Sequence, residues 1–137
     1  MDRKYLLSVL VGVLSAAAIA FIIKLISYRM YPYDLKELSE IVEMRNVDVY
    51  RQFLLKQPVG SFVMIILSHG VGLLGGLFIS RLIFNRALMG LYIITAIILL
   101  TNAVNFLSVP NPTWFPFADI GFTLLIAFVY ISSRKKA

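Results

Sequence analysis

Four apolar runs, at about 5–27, 58–80, 87–107 and 117–133, constrain this chain more than anything else in it. A hydrocarbon core of about 30 Å is crossed by a helix of roughly 17 to 25 residues, and each run fits that length. Inside lipid a backbone N–H finds its partner only within the chain, so such a run spans as a helix. Of the 137 residues 60% are hydrophobic and 15% charged, more apolar surface than a soluble domain of this size can bury. The expected fold is therefore all-α: one domain over 1–137, an integral membrane antiparallel four-helix bundle with membrane lipid around it. The net charge of +6 raises the question of nucleic acid, but the basic residues sit at the ends of the runs and form no stripe with exposed aromatics. No nucleic-acid partner is expected. The absence of cysteine excludes disulfides, thiolate chemistry and lipoprotein attachment.

Within the second run, Ser68, Gly72, Gly76 and Ser80 recur every four residues and stack on one helix face. The first run carries a matching ladder of Ser8, Gly12, Ala16 and Ala20. Small side chains at this spacing let two helices approach almost to backbone contact, so spans one and two are expected to pack directly. The first run also follows a basic start at Arg3 and Lys4, as a secretory signal does. Its apolar stretch continues through Phe21 and Ile23, beyond the length of a signal core, and reads as an uncleaved anchor.

Between these spans lies the one long polar segment, with five acids against five bases over 28–57. Asp34 followed by Glu37 resembles a capping box, and Leu35, Leu38, Ile41, Val42, Tyr50, Phe53 and Leu54 make an apolar stripe. An amphipathic helix over about 34–56 follows, lying on the membrane surface or lidding the bundle, with a weak point near Asn46–Asp48. Spans two and three are joined by a link holding Arg81, Asn85 and Arg86, and Pro110–Pro116 forms a stiff turn before span four. With both termini in the cytoplasm, Arg3, Lys4, Arg81, Arg86, Arg134, Lys135 and Lys136 lie inside, as the positive-inside rule asks. Trp114 and Tyr28, Tyr31 and Tyr33 then mark the outer interface.

Polar side chains within the spans need partners, which makes Lys24, His69, Asn102, Asn105 and Asp119 the candidate site. Each has an ordinary explanation. Lys24 can snorkel to the headgroups, Asp119 can complement a helix dipole, and the asparagines with Thr95 can join helices. A lone His69 is more often a satisfied packing residue than a proton relay. Four helices nevertheless bring polar groups to a similar depth, which suggests an outward-facing pocket roofed by Trp114 and the amphipathic segment, with Lys24 paired to Asp119. Ser68 and His69 point about 100° apart on a helix and form no nucleophile and base pair. One histidine without cysteine is thin for zinc or haem, so neither metal nor other cofactor is expected. Asp119 reads as too near the surface for the midplane carboxylate of a small exporter.

The pattern His69, Gly72, Gly76, then Asn105 followed by Pro110, Pro112, Trp114, Phe115 and Asp119, resembles a family of small bacterial four-span membrane proteins without an assigned activity. The resemblance covers roughly 58–137, with an echo at Tyr31-Pro32. It departs late in span one, where Lys24 and Tyr28 stand in place of an acid and a histidine. It implies a bundle in the bacterial inner membrane and the same pocket residues, and no reaction. Two functional expectations result. One is a non-enzymatic accessory or scaffold subunit that self-associates or joins a larger membrane complex through its small-residue faces. The other is a small carrier or channel for an ion or polar solute, using the outer pocket.

Overall fold

A computed structural model describes residues 3–84 and 88–135 of the chain, the side chains of 134 and 135 excepted. The link residues Asn85 and Arg86, the expected start of span three at Ala87, and Lys136 lie outside the described residues. Six α-helices form, α1 Arg3–Met30, α2 Leu35–Glu43, α3 Val47–Leu55, α4 Val59–Ile83, α5 Leu88–Ser108 and α6 Phe115–Lys135, and no strand occurs among the described residues. Four of them, α1, α4, α5 and α6, are long and apolar enough to cross a membrane. Leu14, Phe21, Leu100, Leu107, Phe117 and Phe128 all point outward and stay exposed. Water would penalise that coat heavily, whereas acyl chains cover it at no cost. α1, α4 and α6 each outrun their apolar runs by a few residues. At α6 the first turn takes in Pro116, tolerated there because an N–H at that position would have no helical partner.

α4 is the hub, packed against α1, α5 and α6, while α1 also touches α5 and α5 touches α6. The two small-residue ladders face each other. A Cβ added to Gly72 would lie 2.7 Å from the Ala16 carbonyl oxygen, and one added to Gly12 would lie 3.0 Å from that of Gly76 and 2.9 Å from the Ser80 Cβ. This pairing of low α1 numbers with high α4 numbers makes the two helices antiparallel. Ser8 and Ser68 donate to carbonyls three residues back in their own helices, Tyr5 and Ile65, both at 2.7 Å. The contact is thus steric, backbone on backbone, and its rungs bond no neighbour through those hydroxyls. The faces expected to dock a second chain are filled within this one: Ser8, Gly12, Ala16, Ser68, Gly72, Gly76 and Ser80 are all buried, and Ala20 packs on Gly72.

On the other side of α4, Leu73 and Leu77 pack with Leu91 and Ile94 of α5 and with Ala127, Tyr130 and Ile131 of α6. This apolar core fills the half of the long helices nearer the start of α1. Polar groups collect in the other half, toward α2 and α3.

The amphipathic segment is two short helices instead of one. Asp34 caps α2 by accepting from the Lys36 and Glu37 backbone N–H groups at 2.8 and 3.3 Å, and Asn46 caps α3 by accepting from Asp48 and Val49 at 3.1 and 3.3 Å. Between them Arg45 adopts a left-handed φ of 50°, where a Cβ crowds the following carbonyl. Arg45→Gly is therefore expected to stabilise the protein in detergent unfolding by about 0.5–1 kcal/mol, the relief of strain less glycine's extra unfolded freedom. A loss of stability would contradict that reading of the hinge.

Candidate functional site

His69 sits between Ser68 and Gly70 on α4, and its ring leans back along the helix toward the α6 N-terminus. Its Nδ1 lies 2.9 Å and 3.0 Å from the two carboxylate oxygens of Asp119. Asn102 of α5 donates through Nδ2 to Asp119 Oδ2 at 3.0 Å. Asp119 has no exposed surface, and His69 and Asn102 are buried. A carboxylate accepts only, so with Asp119 ionised His69 carries its proton on Nδ1. Three helices thus converge on one carboxyl group in an otherwise apolar interior. One turn further along α6, Thr123 is also fully buried, and its hydroxyl has no hydrogen-bond partner among the described residues.

A ring cluster covers the cluster on the α2–α3 side. Phe115 is nearly inaccessible, with Phe62, Phe106 and Trp114 against it edge-on at centroid distances of 5.4, 5.6 and 6.0 Å. Asp119 follows Phe115 by one helical turn, and closeness to the start of α6 does not expose it. Trp114 is 41% exposed and packs on Phe62 and Phe115. It lines neither of the two cavities below and is not their roof.

The expected ion pair between Lys24 and Asp119 does not form. α4 stands between α1 and α6, which make no contact, and His69 on α4 takes the place at the carboxylate. Asp119 still lies within electrostatic reach of Lys24. The exposed Lys24 instead borders a cleft of about 260 Å³ between α1 and α5, lined also by Ala17 and Phe21 of α1, His69 and Leu73 of α4, and Thr101, Asn102 and Asn105 of α5. Asn105 belongs to this cleft without a hydrogen bond to the buried cluster. Thr95, expected to join helices, donates to the Leu91 carbonyl of its own helix at 2.9 Å.

Lys24 also borders a second, open-mouthed cavity of about 350 Å³, lined by the end of α1, by α2 and α3, by the start of α4 and by the turn before α6. Tyr28, Tyr31, Tyr33 and Tyr50 line it, with Phe53 and Leu54 of α3 forming a lid. The hydroxyl end of Tyr31 packs on Gly60, where a Cβ would collide with it. Tyr28, Tyr31 and Tyr33, read from the sequence as an aromatic belt, line this cavity beside Leu38, Phe53 and Leu54 of the amphipathic segment. Their clustering just after Lys24 was the available signal.

No family model, curated protein or solved structure matches the chain.

Proposed function

We propose that this chain is a small proton-linked carrier of the bacterial inner membrane, an antiparallel four-helix bundle with both termini cytoplasmic and α2–α3 as a periplasmic lid, and not an enzyme. The observation that carries the proposal is the fully buried Asp119 carboxyl, held by His69 and Asn102 beside a cleft that contains Lys24. A buried charge is tolerated when paired, and intramembrane carboxylate and histidine pairs are the usual stations of proton transfer.

Charge accounting gives the mechanism its shape. Imidazolium with carboxylate, or neutral imidazole with carboxylic acid, leaves the pair uncharged overall. Loss of its one shared proton leaves a single negative charge in an apolar interior. An ammonium at the adjoining cleft offsets that charge, so movement of the proton is coupled to what occupies the cleft around Lys24. The apolar layer of Leu73, Leu77 and Ile94 closes the far side and the rings around Phe115 the near one, so the cleft between α1 and α5 is the opening to the pair. The unpartnered Thr123 hydroxyl, inward of Asp119, provides the next polar step. Basic residues at both termini and in the α4–α5 link support the orientation.

The scaffold alternative has less support, because the ladders it relied on are occupied inside the chain. In vesicles loaded with a pH-sensitive dye, clamped with valinomycin and potassium and supplied outside with a mixture of small polar solutes, wild-type protein is expected to dissipate an imposed pH gradient. Asp119→Asn and His69→Ala are each expected to slow it about tenfold or more. A wild-type rate equal to that of empty vesicles, or rates unchanged in correctly inserted variants, would overturn the carrier reading.

A further inference from the structure

The chamber beneath α2 and α3 has a composition that selects its occupant. One ammonium, from Lys24, stands on its border, and Tyr28, Tyr31, Tyr33 and Tyr50 present phenol groups to it. No aspartate or glutamate lines it. Among the described residues Lys24 makes no hydrogen bond or ion pair, and Asp119, the acid whose charge reaches it, is already engaged by His69 and Asn102. The four tyrosine hydroxyls likewise have no hydrogen-bond partner among the described residues. Gln57 and Asn111 also line it, but their amides already donate to the Phe53 and Val109 backbone carbonyls at 3.3 and 2.6 Å. A cation with surrounding phenol O–H donors and no competing carboxylate is the complement of an oxyanion. The remaining wall is aromatic and aliphatic, suited to an apolar body, and a volume of about 350 Å³ admits a small molecule but not a two-chain lipid.

From this the geometry points to a binding site for an organic oxyanion, a carboxylate or phosphate on a compact apolar or aromatic body, held by Lys24 and the tyrosine hydroxyls. The inference names the solute class for the carrier and rests on that reading for the chamber's purpose. Binding itself is separable from transport. Lys24 borders both the chamber and the cleft beside His69, so an anion released from the tyrosines passes directly to the side of the proton-bearing pair.

Calorimetric titration of phenyl phosphate into the full chain in phosphatidylcholine nanodiscs tests this without any flux measurement. Saturable binding is expected, about tenfold to a hundredfold weaker in Lys24→Gln, retained in Lys24→Arg, and several-fold weaker in Tyr50→Phe. His69→Ala is expected to bind normally, so lost flux with intact binding would separate the two claims. If anionic phosphatidylglycerol in the disc competes with phenyl phosphate, the oxyanion comes from a headgroup entering the chamber; if it does not, the source is soluble. Equal affinity for benzyl alcohol, an unchanged Lys24→Gln, or no binding of phenyl phosphate in discs of either lipid would overturn the site while leaving proton movement to its own test.

Discussion

Gly76→Leu is expected to lower the unfolding free energy by about 2–4 kcal/mol, among the largest single-residue effects in the chain. At this position even a Cβ would lie 2.8 Å from that of Ala16 and would collide with the Gly12 carbonyl oxygen. Neither neighbour is a flexible side-chain end, so the only relief is to move α1 away from α4. That movement would dismantle close packing along both ladders, which in lipid carries much of what holds helices together. Gly121→Leu is the matched control: a Cβ there meets nothing within 4 Å and the position is exposed, so its stability should change by well under about 1 kcal/mol. Reversible unfolding of both variants in lipid–detergent micelles decides the matter. Equal losses would mean that the ladders do not hold α1 on α4.

The second large effect concerns the buried pair. Removing one partner leaves the other desolvated and unsatisfied, whereas replacing both with apolar groups removes the penalty with the attraction. Asp119→Leu and His69→Leu should therefore each destabilise by about 2–3 kcal/mol, and the double variant by much less than their sum, a coupling of about 1–3 kcal/mol. Lys24→Met with Asp119→Asn should come close to additive, because no direct contact joins those residues. Full additivity at His69 and Asp119, or strong coupling at Lys24 and Asp119, would reverse the assignment of partners.

What the sequence reveals follows from which physical signals are local. Helix existence is written in the length of each apolar run, and the pairing of α1 with α4 in two ladders of equal spacing, because sterics at i and i+4 need no knowledge of the rest of the chain. The Asp34 cap is legible for the same reason. Partner choice at Asp119 is not local. Counting depth from helix ends placed it with Lys24 and left His69 a turn or two away, but α4 is the central helix and starts beyond the α6 N-terminus, as the Phe62–Phe115 contact shows. Trp114 was misjudged by a related route: an interfacial residue type identifies depth without specifying which neighbour its ring packs on. The amphipathic stripe and its weak point near Asn46–Asp48 announce a segment able to lid the bundle, but which tyrosines it meets depends on how α2 and α3 turn at Arg45, and that is not local.

His69 is the only histidine in the chain, so ¹⁵N-histidine labelling reports on the centre of the proposed mechanism without assignment. Solid-state ¹⁵N spectra of the protein in bilayers should show a single imidazole whose Nδ1 signal is displaced by a strong hydrogen bond, and Asp119→Asn should shift that signal by several ppm and change its response to pH. Identical spectra and identical titration in wild type and Asp119→Asn would mean that the ring and the carboxyl do not share a proton, and the carrier account would lose its centre.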